Sequence, residues 1–348
     1  MRDPRPLRQA AVALAGALCA AAAAARPPVT FHVTLVDPPG EVQPLLGGVN
    51  AQGHVAGAAI LPGESAEHAL LLSTGRFVDL GTLGGRASYA TDVNDADVAV
   101  GTSETANGAD HAFRWRRGKM TDLGTLPGGT LSQAQAINRS GQVVGFATVA
   151  SAVNHAFLVD GGPMTDLGTL PGAGASAARG INTQGHVVGD SGSALQTHAF
   201  LYVDGAMAAL DTPGGAGASS VATAINDADQ VAGAAWDPAD GLPTTAVRWD
   251  AGVPSLLGLP DAAGATSSYA RAINARGIVV GTFARPQAPL AQGAFISDGT
   301  RIANLEDLLD TASAAWQVYA AMGIADDDTV SALVWDGSAF RFALLQPD

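Results

Sequence analysis

One short motif returns at a nearly fixed step along this chain, and that period limits the fold more than any other feature. The motif is an Ile/Val-Asn pair, a tight turn, and a β-branched run ending in Gly. Copies read VNAQGHVAG (49–57), VNDADVAVG (93–101), INRSGQVVG (137–145), INTQGHVVG (181–189), INDADQVAG (225–233) and INARGIVVG (273–281). Their asparagines, Asn50, Asn94, Asn138, Asn182, Asn226 and Asn274, are spaced by 44, 44, 44, 44 and 48 residues. A degenerate seventh copy, IADDDTVSA, starts at Ile324. A sequence that repeats at this interval builds one supersecondary unit several times over, and each unit buries its apolar face against the next.

Two further motifs travel with the first. A His-Ala-Phe triplet or a variant of it places Ala at 69, 112, 156, 199, 246, 294 and 339. A turn-forming segment, MTDLGTLPG in its clearest copies at 120–128 and 164–172, has seven versions, the first being VTLVDPPG at 33–40. Each unit thus supplies four short extended segments. In the unit at 132–170 these are SQAQAIN, QVVGFAT, HAFLVD and MTDLGTL, separated by a turn on Asn138 and Gly141, a polar loop and a Gly-Gly break, with Pro-Gly ending the last. No stretch of twelve residues sustains a helical period.

Four strands in about 44 residues match the blade of a β-propeller. The expected fold is therefore all-β, a seven-bladed propeller. The invariant Ala fits close contact between blades. Phe113, Phe157, Phe200, Phe295 and Phe340, with Trp115, Tyr202, Trp249 and Phe342 two residues further on, share one strand face. Each would contribute about 2–3 kcal/mol on burial. The last repeat ends at its third strand, and FHVTLVDPP (31–39) at the other end resembles the missing fourth. The N-terminal strand is expected to close the ring.

The repeat motifs together, HAF, MTDLGTLGG-like turns, AIN and GQVVG at a period near 44, resemble the HAF-family extracellular repeat of bacterial secreted proteins. The resemblance covers about residues 30–348. It is sharpest in copies two to four and fades in copies five to seven, where Thr245, Gly293 and Ser338 replace His. It implies an extracellular repeat protein and brings no catalytic residues.

The N-terminus reads as a secretory signal. Arg2, Arg5 and Arg8 precede the apolar run 9–25, which is short for a membrane span. The expected organisation is a signal peptide at 1–25 and a single propeller domain at 26–348, secreted or periplasmic. The one cysteine, Cys19, leaves with the signal, so the mature chain would hold together without a disulfide. The formal net charge is −14, and loss of residues 1–25 takes it to −16. Such a chain repels nucleic acid and anionic lipid. At 47% hydrophobic residues it is nonetheless a folded chain. A monomer without a membrane span is expected.

Several constellations invite a chemical reading. Ser132, His155 and Asp166, and Ser176, His198 and Asp211, recur as a set. A hydrolase needs one such triad, and no Gly-x-Ser-x-Gly elbow accompanies these. Structural hydrogen bonds between blades explain the recurrence better. The acidic turns at 94–97, 226–229 and 325–328 lack the spacing of a calcium loop and read as hairpin turns. The segment GAGASA (172–177) leads into no helix, so it is a poor phosphate cradle. No cofactor or metal is expected.

Trp236, in the irregular segment WDPADGLP, and Trp316, in the degenerate seventh unit, stand outside the repeating aromatic register. A loop Trp can stack on a sugar ring or anchor a protein partner, so these two are the candidate binding residues. The expected function is a non-catalytic binding or surface-interaction module for a carbohydrate or protein ligand at the cell exterior. The alternative is an exported propeller enzyme, a polysaccharide lyase or glycosidase, which needs carboxylates converging at the channel mouth. In either case the site should lie where polar residues replace the repeat consensus, with units five to seven departing most.

Overall fold

The computed structural model describes residues 29–36, 45–73, 75–193, 196–237, 239, 241–262, 264–286, 288 and 290–348. The segment 1–25, expected to be a signal peptide, lies outside them, as do residues 37–39 of the closing segment. The described chain forms seven sheets of four antiparallel strands each. The repeat thus makes a seven-bladed propeller whose units are radial sheets. With the blades numbered 1 to 7 in the chain order of their inner strands, blade 3 is representative. Its strands are Ser132–Ile137, Val143–Thr148, Asn154–Val159 and Thr165–Gly168, in that order from the central channel outward.

The ring closes as the termini suggest. Phe31–Leu35 pairs antiparallel with the C-terminal strand Phe340–Pro347, completing the blade formed by Gln317–Ile324 and Val330–Trp335. Phe31 and Val33 are buried there.

The recurring letters are explained by contacts across blade junctions. Each Asn side chain accepts backbone N–H groups of its own turn and donates Nδ2–H to a carbonyl of the next blade. Asn50 reaches the Asn94 carbonyl at 3.0 Å, Asn94 reaches Asn138 at 3.0 Å and Asn138 reaches Asn182 at 2.9 Å. The series continues through Asn182 and Asn226 and ends with Asn274 donating to Ala325. Blade 7 carries Ala325 at this place, so the ring of amides is broken where blade 7 meets blade 1.

A serine at the start of the inner strand makes the second tie. Ser132 Oγ accepts the Ala112 N–H at 2.8 Å and donates to the Gly124 carbonyl at 2.5 Å, both in blade 2. Ser88, Ser176, Ser220 and Ser268 accept from Ala69, Ala156, Ala199 and Ala246 in the same way. The Ala of the His-Ala-Phe motif is fully buried in blades 1 to 6, because the neighbouring blade packs directly on it.

The seventh copy departs from the sequence alignment. Ala339 lies in the turn before the third strand. Register places Phe342 at the consensus Ala position and Ala343 at the Phe position, opposite Leu333 and Ala332. Elsewhere the Phe faces a strand Gly, as Phe157 faces Gly145. Blade 7 replaces that large-small pair by Ala343 and Ala332, and its inner strand carries two bulges.

Apolar clusters fill the six junctions from blade 1 to blade 7. Among the described residues, the junction of blades 7 and 1 keeps a small apolar crevice lined by Val36, Val55, Leu70, Leu72, Phe342 and Leu344. No helix among the described residues is long and apolar enough to cross a membrane.

Candidate functional site

The inner strands surround a channel of about 550 Å3, a size within the range of about 300–1,000 Å3 usual for ligand sites. Each inner strand carries a β-bulge, which inserts one extra residue into the strand and re-aims its side chain. In blades 2 to 7 the skipped residues are Thr91, Gln135, Arg179, Thr223, Arg271 and Met322, and all line the channel. Gly47 holds the equivalent place in blade 1. A strict repeat thus presents a chemically varied wall.

Some of these side chains tie blades together. Thr91 Oγ1 donates to the Ala134 carbonyl at 3.0 Å, and Thr223 Oγ1 to the Ala270 carbonyl at 3.1 Å. Asp92 replaces the Gly or Ala that the other blades carry beside the bulge. Its carboxylate accepts Val93 N–H at 2.8 Å and, across the junction, Ile137 N–H at 2.9 Å. The residue is half-buried in the channel wall. Burial raises its pKa to about 7 against the opposing pull of those two N–H groups. Gly48 in blade 1 makes room, because a Cβ there would come within 2.1 Å of Asp92 Oδ1.

Blades 4 and 6 carry the cations. Arg179 pairs with Asp190 on the adjacent strand of blade 4. Burial opposes the guanidinium charge, but Asp190 outweighs it and holds the pKa above its ordinary value. Arg271 lies over the Tyr269 ring at 4.9 Å and is exposed to the channel. Burial keeps the Tyr269 phenol protonated beyond its ordinary range, although the two arginines pull the other way. In blade 2, Tyr89 is shifted upward as well, by burial first and then by the nearby Glu67, Asp110 and Glu104.

A second feature stands at the rim of blade 7. Phe340 meets Trp335 at 4.8 Å and Tyr319 at 4.9 Å between ring centroids, and Phe340 is 38% exposed. The hairpin Asp336–Ala339 holds Trp335 and Phe340 opposite each other, with Asp336 Oδ1 accepting Ser338 and Ala339 N–H at 2.8 Å.

The candidate tryptophans fall on the same side of the ring. Trp236 is not in a loop: it stands on the strand Val231–Asp237 of blade 5, opposite Ser219, because the strand runs further than the sequence pattern suggests. It lies ten residues after Asn226, the position that Trp335 holds relative to Ala325 in blade 7. Trp316 precedes the inner strand of blade 7 and packs partly against that blade's core. Trp236 and Trp316 belong to different blades. Trp335, Tyr319, Tyr89, Tyr269, Arg179 and Arg271 escaped the reading of the sequence, and Phe340, expected among the buried aromatics of the strand face, is instead exposed at the rim. Their signal was available as departures from consensus at fixed offsets from the Asn.

The recurring Ser, His and Asp do not converge. Ser132 binds blade 2, whereas His155 Nδ1 meets Asp166 at 2.9 Å within blade 3. His68 with Asp79 and His111 with Asp122 repeat that outer-edge pair. The acidic turns are likewise spent between blades. Asp97 Oδ1 faces His54 Nδ1 at 2.6 Å, Asp229 Oδ1 faces His186 Nδ1 at 2.7 Å, and Asp328 Oδ1 accepts from Asn274 at 2.8 Å. No group of three or more His, Cys, Asp or Glu side chains placed to hold a metal ion occurs among the described residues.

A seven-bladed propeller with a polar channel is the class that fold and site define. Solved structures of propellers are similar to it. The β-propeller domain of the Trilobed protease from Pyrococcus furiosus, described as having an open velcro topology, superposes with TM-score 0.56 at 10% identity. It covers 87% of this chain and 95% of that one. One of two prolyl endopeptidases gives TM-score 0.54 at 13% identity, over 84% of this chain. This chain spans 46% of that enzyme's length. A puromycin-hydrolyzing peptidase of Mycobacterium tuberculosis gives TM-score 0.51 at 12% identity, covering 89% of this chain and 56% of the peptidase. These likenesses concern the fold. No family model matches the sequence, and no curated protein matches it significantly.

Proposed function

We propose that this chain is a secreted, non-catalytic binding module of the HAF-repeat type, exported by a signal at 1–25 as a monomeric propeller. It takes a carbohydrate ligand on the face where outer strands lead into the next blade's inner strand. One observation carries this reading: the aromatic residues that break the repeat, Trp236, Trp316, Tyr319, Trp335 and Phe340, all stand at that face. Phe340 is exposed and the other four are half-buried, and partly exposed aromatic rings supply flat apolar surface to a sugar at little entropic cost. The polar channel wall beside them supplies hydrogen bonds to hydroxyl groups.

The enzyme reading asks for two converging carboxylates. Of the acids that line the channel, Asp92 accepts backbone N–H groups with both oxygens, Asp95, Asp227 and Asp326 each accept a backbone N–H of the preceding blade, and Asp110 stands apart on the third strand of blade 2. That favours binding over hydrolysis.

A glycan array probed with residues 26–348 tests the proposal. At least one neutral glycan should bind. The double variant Trp335→Ala, Phe340→Ala should lose that signal, with Trp236→Ala and Trp316→Ala weakening it. An array without signal would refute carbohydrate binding, and a partner protein would then be the ligand to seek.

A further inference from the structure

We infer that the channel beside blades 4 and 6 is an acidic-sugar subsite, in which Arg271 holds the carboxylate of a uronic acid residue. This rests on the carbohydrate reading above and names the sugar class that the channel takes.

The argument begins from the bulge position. Its seven occupants are Gly47, Thr91, Gln135, Arg179, Thr223, Arg271 and Met322. Two are arginines in a chain whose net charge is −14, and both line the same cavity. Their surroundings differ. Arg179 is neutralised by Asp190 and held in place by it. Arg271 rests on the Tyr269 ring, and no carboxylate lies within ion-pair distance of it among the described residues. Stacking on the ring orients the guanidinium plane and leaves its edge donors for the lumen.

A guanidinium in a confined, partly desolvated space is best satisfied by a planar carboxylate, which it can grip with two parallel N–H bonds. Tyr269 is within electrostatic reach of both arginines, and its neutral phenol offers an O–H donor on the same channel wall. Asp95, Asp227 and Asp326 stand at the far mouth of the channel, each accepting a backbone N–H of the preceding blade. The acids on the arginines' own stretch of the channel, Asp92 and Asp110, belong to blade 2, three blades from blade 6, the greatest separation a ring of seven permits. They therefore oppose a bound anion least on this side. Gln133 and Gln135 on blade 3 present amides suited to the hydroxyls of the same sugar.

The test compares two ligands of one backbone, cellotriouronate and cellotriose, which differ only in the carboxylates at C6. Titration calorimetry of residues 26–348 should show the uronate binding at least ten-fold more tightly. Arg271→Ala should cut uronate affinity ten-fold or more, erase the preference for uronate over cellotriose, and keep the melting temperature. Arg271→Lys should fall between, because it retains charge without the fork. Inorganic phosphate and acetate, added as competitors, separate an acidic-sugar site from a general anion site, since a general site yields to either at millimolar concentration. Equal affinity for both trisaccharides would overturn the inference, as would an unaltered uronate affinity in Arg271→Ala or displacement by acetate. Neutral glycans that bind while the uronate does not would leave the proposed function standing and remove this inference alone.

Discussion

Consider the strand that closes the ring. Phe31 is 1% exposed and Val33 8% exposed, packed in the blade 7 core with Leu305, Val318 and Leu345. Five register pairs join the strand to the C-terminal strand. Val33 N–H also donates to Ser313 Oγ, and Asp310 N–H donates to the Phe31 carbonyl, both at 2.9 Å. Truncating Phe31 to Ala removes a large side chain from a site that cannot collapse, at a cost of about 3–5 kcal/mol. For a domain of this size that lowers the melting temperature by roughly 4–8 °C. Against a typical total of about 5–15 kcal/mol the loss is severe. Phe157→Ala in blade 3 is the matched control, since Phe157 is also fully buried. Deleting residues 29–36 should lower stability further, and a peptide of that sequence added in trans should restore part of it by re-pairing with the exposed edge. Scanning calorimetry and circular dichroism read both effects. A Phe31→Ala protein melting within 1 °C of the parent, or a deletion indifferent to the peptide, would show that the ring is closed by something else.

Three further outcomes follow from the junctions. Ser132→Ala strands the buried Ala112 N–H and should cost about 1–3 kcal/mol in denaturant melts; an unchanged midpoint would mean that water replaces the hydroxyl. Ala325→Asn should complete the amide ring by donating to blade 1, adding about 0.5–1.5 kcal/mol, and a destabilised variant would contradict the equivalence of the seven turns. Asp92 holds its proton in the folded chain up to about pH 7 and loses it much earlier when unfolded. Its contribution is therefore fully present below pH 4 and falls as pH rises to about 7. The stability difference between the parent and Asp92→Ala should then shrink by at most about 1.4 kcal/mol per pH unit over that window. A difference independent of pH would show that the carboxylate ionises normally.

The candidate site was far less legible than the fold. Trp236 and Trp316 were visible because tryptophan is scarce, with five in the chain. Trp335 was hidden by its position in an ordinary strand pattern, and it takes meaning only from the neighbouring Phe340 and Tyr319. Arg271 and Tyr269 read as unremarkable letters in YARAIN. Nothing local shows that the bulge sends Arg271 into a lumen shared with Arg179, ninety-two residues earlier. The seventh His-Ala-Phe copy was misplaced for a related reason: letter matching chose Ala339, whereas strand register, set by packing, chose Phe342.

What the amino-acid order determined unaided is the periodic part of the molecule. Asn, Ser and Ala recur because each makes the same hydrogen bond or close contact at successive junctions, and identical geometry selects identical residues. What only the tertiary structure decided is where unlike residues meet. Closing the ring brings seven inner strands around one lumen and joins two chain ends into one sheet. Distances across a ring depend on curvature summed over every blade, and no local spacing encodes that sum.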